Sequence, residues 1–377
     1  MHEANSIDLT IPLSLYIHFP WCVRKCPYCD FNSHPLRGTL DEAGYLRALR
    51  QDLSAQLEDV PTRSIQSIFF GGGTPSLFSP DAFAKLLDGL SELMTPDAEV
   101  TMEANPGTAE YHDFHEYRAA GINRLSLGAQ SFADVQLERL GRIHSACETH
   151  ASFAKAREGG FDNINLDLMY ALPQQTVDEA MFDLETAIVL APEHISWYQL
   201  TIEPKTEFAR RPPILASEAA VEDMEKRGHA LLAEAGYRRY EVSAYAKDTH
   251  QCLHNSNYWK FGDYLGAGAG AHGKRSNATG IIRTSKPRQP RLYLADPETR
   301  KELPLRSGDL PGEFMMNVLR LFDGVEFELF TQRTGLPIEV IDERWQSLVD
   351  LGLASEERLT ATPLGYRHLD SLIQRFL

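Results

Sequence analysis

The chain has 377 residues, 43% of them apolar and 24% charged, with a formal net charge of −16; this suits a globular protein with one large and one small domain, and disfavours nucleic acid as a partner, since phosphate binding draws on a basic face. Five cysteines, an odd number with three of them between positions 22 and 29, argue against a disulfide framework and for a reducing compartment. The opening MHEANSIDLT has no basic segment with an apolar one behind it, and no stretch reaches ~18 uninterrupted apolar residues, so neither secretion nor a membrane span is expected and the chain reads as cytoplasmic.

In chain order, the first β-type run is LSLYIHF. It leads into YIHFPWCVRKCPYCDF, where Cys22, Cys26 and Cys29 stand in a C-x3-C-x2-C spacing. Three thiolates on one turn can each hold one iron of a [4Fe–4S] cluster, leaving the fourth iron open to a small molecule. A structural zinc site is the alternative. Zinc prefers four closed ligands in C-x2-C or H-x3-H pairs, and no second pair follows. After a helical stretch, SIQSIFF ends in Gly71-Gly72-Gly73-Thr74-Pro75. The GK[ST] ending of a P-loop is missing, but three glycines let backbone groups approach a ligand closely. EVTMEAN carries Glu103 and Asn105 at its end, RLSLGAQ ends on Gln130, and Arg142 follows in LGRIHS. INLDLMY holds Asp167, and HISWYQLTI holds Tyr198 and Gln199. The unusual polar residues thus gather at the carboxyl ends of strands that alternate with helices, where parallel α/β folds place their sites. The carboxylates suit ribose hydroxyls or an ammonium, and Arg142 suits a carboxylate. The fold class expected is α/β, an incomplete (β/α)6 barrel over 1–245 with a lateral opening.

Beyond the sixth run come a helix, a further strand in YRRYEVSAYAK, and the segment QCLHNSNYWKFGDYLGAGAGAHGKR. Six basic residues and no acidic one lie between Lys274 and Arg291. They read as a solvated loop or an anion-facing patch, and SNATGIIRTSKPRQP as a linker or flap, so 246–304 is taken as a connecting segment. Over 305–377 three helices, a LASEERLTA hairpin and a last helix follow in an order that resembles a winged helix. Seven basic against twelve acidic side chains there point to packing or a lid instead of DNA. His112, His115, His144 and His150 share no face and are not a metal site, and Cys147 and Cys252 read as inert thiols.

Taken together, YIHFPWC-x3-C-x2-C-x-F, GGGTPS, EANP, SLGAQSF, LGRIHS, DLMYALP and HNSNYW resemble the oxygen-independent coproporphyrinogen III oxidase group of the radical S-adenosylmethionine (SAM) superfamily, and within it the HemW heme chaperones. The resemblance spans nearly the whole chain. It implies that SAM chelates the open iron through its amine and carboxylate, with contacts from Tyr16, Tyr28, Gly72, Gly73, Thr74, Glu103, Gln130, Arg142 and Asp167. Thr201, Ala271 and His272 match less fully. HNSNYW resembles the heme-binding HNxxYW signature and implies a heme site of His254, Asn255, Tyr258 and Trp259, with imidazole as iron ligand and the two aromatic rings as flat surface. Two departures point away from the oxidase branch: Phe31 stands where oxidases carry a further cysteine, and fifteen residues precede Tyr16 where oxidases have some tens. The expectation is a heme chaperone that carries a cluster and SAM and passes heme to apo-hemoproteins such as respiratory enzymes. It would associate peripherally with the membrane and form a homodimer, and the basic run would face the heme propionates. The alternatives are coproporphyrinogen III oxidative decarboxylation, with Phe31 the discriminating residue, and a radical SAM enzyme for an unrelated substrate.

Overall fold

A computed structural model describes residues 11–108 and 112–377; the opening segment MHEANSIDLT, read above for a leader, lies outside the described residues. The six runs form strands β1 (Leu13–Phe19), β2 (Ile65–Gly72), β3 (Met94–Ala104), β4 (Arg124–Gln130), β5 (Ile164–Tyr170) and β6 (His194–Gln199). They lie side by side in chain order, all parallel. Their near-continuous burial is that of strands covered on both faces. The covering helices start where local chemistry says they should: Ser145 with Glu148, and Thr176 with Glu179, form capping boxes ahead of Ala146–Glu158 and Val177–Leu190.

The sheet continues past the expected barrel at both edges. YRRYEVSAYAK becomes β7 (Arg238–Glu241) and β8 (Ala244–Ala246), antiparallel to β6 and to each other. On the other side β9 (Asp263–Ala267) lies parallel beside β1, followed by antiparallel β10 (His272–Asn277), β11 (Gly280–Ser285) and β12 (Lys301–Pro304). The order β12-β11-β10-β9-β1-β2-β3-β4-β5-β6-β8-β7 makes an open twelve-stranded sheet.

The segment taken for a linker or flap is therefore sheet. Nor is the basic run a single free patch, because four of its six charges are paired with acids of the protein, while Arg288 and Arg291 stay exposed. Lys274 pairs at 2.8 Å with fully buried Asp263, Arg275 with Asp59 and Glu302, Arg283 with Glu313, and Lys286 with fully buried Asp52. These acids lie far away in sequence or on other strands, so a window over the basic residues shows only half of each pair.

One core fills the sheet and its helices, from Leu13 through Phe70, Leu127 and Trp197 to Tyr293. A second gathers Phe314, Val318, Phe330, Ile341, Trp345 and Phe376 with Phe261 and Ile281 from the sheet extension. Three helices (Leu310–Val318, Phe327–Thr334, Glu339–Asp350) lead in that second unit. The expected LASEERLTA hairpin is reduced to a single bridge, Ala354 to Ala361, with Val325 bridging Leu359 from the other side. The last helix breaks into Pro363–Tyr366 and Leu369–Gln374.

Candidate functional site

The carboxyl ends of β1 to β6 open onto a cavity of about 520 Å³ lined by Cys22, Cys26 and Cys29 on one side and strand-end polar residues on the other. The cysteine loop is tied down at both ends. Trp21–Cys22 pairs with His34–Pro35, and the Cys29 amide donates to the Cys26 carbonyl at 3.1 Å to close the inner turn. None of the three is in a disulfide. Burial raises the pKa of the Cys22 and Cys29 thiols, so a thiolate here calls for a cationic partner. Among the described residues no three His, Cys, Asp or Glu side chains converge on one metal ion.

The glycine turn is built against this loop. The amides of Gly73 and Thr74 donate to the carbonyls of Phe19 and Trp21 at 2.6 and 2.8 Å. A Cβ at Gly73 would stand 2.5 Å from the Trp21 carbonyl oxygen, and Gly72 has a φ of +114°. Glycine is needed here because the cysteine-loop backbone fills the space beside it. Glu103 accepts from the Gly72 amide at 2.9 Å. Burial pushes its pKa up to about 7, with Asp167 adding to the rise and the Gly72 amide opposing it.

The far wall is polar and strained. Gln130 sits at an irregularity in the β4–β5 pairing with a φ of +60°. Its buried side-chain oxygen has no hydrogen-bond partner among the described residues. Asp167 accepts from Ser126 Oγ at 2.9 Å and Asn165 Nδ2 at 2.8 Å; burial raises its pKa against these bonds. Arg142 donates to the Gly128 carbonyl at 3.0 Å, approaches Cys26 Sγ at 3.7 Å, and bonds Asn105. Asn105 in turn donates to Thr74 Oγ1 at 3.0 Å. Asn105 was read only as a strand end and acts as the clip between glycine turn and arginine; its signal was the EANP tetrapeptide. An orphaned amide oxygen, a carboxylate of raised pKa and free thiols on one cavity fit a cluster with SAM beside it.

Of the expected cofactor residues, Tyr28, Gly72, Gly73, Thr74, Glu103, Gln130, Arg142, Asp167 and Asn255 line this cavity. Tyr16, His254 and Tyr258 do not. They line a second cavity of about 470 Å³, together with His18, Asn32, Tyr264, His272 and Arg288. Asp30, Phe31, Gly72 and Glu103 belong to both, so they form the shared wall. Trp259 reaches neither cavity. Its ring lies 4.4 Å under the Arg320 guanidinium and packs against the second core. Alternation along β1 puts Tyr16 and His18 on one face, a signal that was available for His18 and went unused.

His254 is 8% exposed on the helix Leu253–Trp259. The amides of Leu253 and His254 donate to Glu99 at 3.0 and 3.1 Å, and Arg124 faces the same carboxylate. His254 Nδ1 lies 3.2 Å from Ser67 Oγ. Burial, helped by the Arg124 charge, lowers its pKa to about 3, so the imidazole is neutral at physiological pH.

Residues 16–187 match the Radical SAM superfamily and residues 307–368 the HemN C-terminal domain. The chain is 47% identical over 371 residues to "Heme chaperone HemW" of Escherichia coli (strain K12), covering 97% of this chain and 98% of that one. Identity to the Haemophilus influenzae protein of the same name is 47% over 375 residues, with the same coverage. The solved structure of coproporphyrinogen III oxidase (HemN) from Escherichia coli superposes with a TM-score of 0.81 over 100% of this chain and 96% of that one, at 22% identity, a likeness of fold. No helix among the described residues is long and apolar enough to cross a membrane. Identity of this order over nearly the full length, on the fold and motifs described above, means that the chain belongs to the HemW family of radical SAM proteins.

Proposed function

We propose that the protein is a cytoplasmic heme chaperone that carries a [4Fe–4S] cluster on Cys22, Cys26 and Cys29, binds SAM beside it, and holds heme for transfer to apo-hemoproteins such as respiratory enzymes. The observation that carries this reading is the pair of cavities with a shared wall, one lined by thiols and strand-end polar groups, the other by imidazoles and aromatic rings. Relatives at 47% identity named as heme chaperones support it, whereas the likeness to the oxidase is one of fold. Self-association as a homodimer and peripheral contact with the membrane, where recipients reside, belong to the same reading.

In this reading the chain's own residues divide the work. When bound, the cluster supplies an open iron for the methionine end of SAM. Glu103, with its carboxyl pKa near 7, takes the charge of the ammonium, and Arg142 the carboxylate. Asp167 takes ribose hydroxyls, and the unpaired Gln130 oxygen accepts from the nucleoside. Cluster and SAM then serve a structural, dimer-forming or gating role, and Phe31, 60% exposed, stands on the wall the two cavities share.

The test is anaerobic purification with iron and sulfide counts, followed by heme titration and a coproporphyrinogen III assay on one sample. About four irons and four sulfides per chain, near-stoichiometric heme uptake and no conversion of coproporphyrinogen are expected. Conversion at a rate useful to a cell would replace the chaperone reading with the oxidase one.

A further inference from the structure

The helix Val177–Leu190 buries a carboxylate that lines neither cavity. Asp183 is 1% exposed, and its charged neighbour is another acid, Glu179. Burying an acid without a cation is costly unless hydrogen bonds satisfy it. Asp183 accepts from Ser131 Oγ on both oxygens at 3.0 and 2.8 Å, from the Phe132 amide at 2.6 Å and from Gln175 Nε2 at 3.3 Å. These donors stand in the two turns that follow β4 and β5. Ser131 and Phe132 come directly after Gln130, and the Gln175 side-chain oxygen accepts from the Leu172 amide at 3.1 Å. Both turns are strained. Of the seven non-glycine residues with a left-handed φ among the described residues, they hold three: Gln130 at +60°, Ala171 at +57° and Gln174 at +55°. That conformation is disfavoured and persists only where the surroundings fix it.

We propose that Asp183 is a positioning residue for SAM: it clamps the turn after β4 and so holds Gln130 in its left-handed conformation, with the side chain aimed into the cysteine cavity. The path is short. The groups that Asp183 grips belong to the two residues after Gln130, and Ser131 Oγ extends the clamp by accepting from the Ala133 amide at 3.0 Å. On the cavity side the Gln130 side chain bonds Tyr198 and lies close over Gly128, where a Cβ would stand 2.9 Å from its Nε2. Its oxygen, without a partner among the described residues, is thereby left for a ligand. Without the clamp, residue 130 would relax to the φ below zero that non-glycine residues prefer, which re-aims the amide. Through Gln175 the same carboxylate ties the turn after β5, the strand that carries Asp167. One buried group thus fixes the spacing of the two strand ends read as nucleoside contacts, without touching the ligand itself.

This inference rests on the SAM-binding part of the function proposed above, and calorimetric titration of SAM into anaerobically purified, cluster-loaded protein tests the two apart. Wild type is expected to bind SAM. Gln130→Ala and Asp183→Asn should each bind it about tenfold more weakly, with unchanged iron and sulfide counts. The double variant should bind no more weakly than the poorer single one, because the clamp then has nothing left to position. With saturating SAM, the electron paramagnetic resonance spectrum of the reduced cluster in Asp183→Asn should match wild type, since the clamp acts at the nucleoside end and not at the iron. A contribution to stability alone would not couple the two residues. Wild-type affinity in either single variant, loss of iron or an altered spectrum in Asp183→Asn, or a double variant about a hundredfold weaker, the product of independent effects, would overturn the assignment. Should Asp183→Asn fail to fold, Ser131→Ala, which removes one gripped group and leaves the Phe132 amide bonded, takes its place in the same cycle with the same outcomes. Wild-type protein that takes up no SAM would overturn the SAM reading itself, and the positioning role with it.

Discussion

At the residue scale the thiols, the glycine turn and one carboxylate carry separate expectations. Cys26→Ala is expected to lose most of its iron, read by metal analysis after anaerobic purification; full iron retention, or zinc in its place, would contradict a three-thiolate cluster. Gly73→Val tests a finer point. Read from sequence, the glycine makes room for SAM, so the variant should lose SAM and keep its cluster. The structure shows a Cβ at Gly73 striking the Trp21 and Phe19 carbonyl oxygens at 2.5 and 2.8 Å, so cluster and SAM should be lost together, as iron counts and SAM calorimetry would show. Glu103 gives a pH signature. Its pKa rises from 4.5 to about 7 on folding, chiefly through burial, so the folded chain holds a proton there that the unfolded chain releases. Ligand-free protein therefore loses stability as pH rises through that interval, by on the order of 3 kcal/mol. Glu103→Gln should flatten the slope of urea-unfolding free energy against pH and make ligand-free protein more stable above pH 7.

At the element scale the informative part is the sheet extension β9 to β12. Lys274 and Lys286 are each 2% exposed and face fully buried carboxylates. Such pairs contribute little net stability, but losing one member strands the other charge in the interior. Arg283, paired with Glu313 and donating to the Tyr264 hydroxyl at 3.0 Å, is partly exposed, so its loss should be milder. Arg283→Gln is expected to cost about 1 to 2 kcal/mol in urea unfolding and to leave heme affinity nearly unchanged. Arg288 is exposed and lines the second cavity. Arg288→Gln should leave stability within about 0.5 kcal/mol and weaken hemin binding, more at low salt than at high. Equal effects of the two variants on hemin binding would restore the idea of a shared basic patch.

At the scale of the whole molecule, the three cysteines stand outside both cores, while six of the thirteen residues around the second cavity come from β1, β9, β10 and the helix Leu253–Trp259 and three, Asp30, Phe31 and Asn32, from the stretch just past Cys29. A triple Cys22, Cys26, Cys29→Ser variant should consequently fold. It is expected to melt within a few degrees of cluster-stripped wild type and to keep hemin affinity within about threefold, while losing SAM binding. Circular dichroism melting and hemin titration check both. Loss of hemin binding in a folded variant would mean that the shared wall of Asp30 and Phe31 couples the two cavities tightly.

The strands, the cysteine loop and the glycine turn were legible in the sequence because each is written in local pattern: alternation and apolar runs report burial, and ligand spacing reports a turn. Eight of the nine residues expected around SAM line the cysteine cavity, and those at strand ends, such as Glu103, Gln130 and Asp167, do so because that position follows from the order of elements; Asn255, expected with the heme residues, lines the same cavity. Tertiary structure alone decided the rest. Lys274 looks free until β9 brings Asp263 beside it, and Trp259 looks like a ligand surface until the second core claims its ring. The division into two cavities, with Phe31 between them and His272 at the rim of the second, depends on β9 joining β1 across more than two hundred residues of chain. Burial is encoded by near neighbours in sequence; charge pairing and cavity walls are made by residues that meet only when the chain has folded.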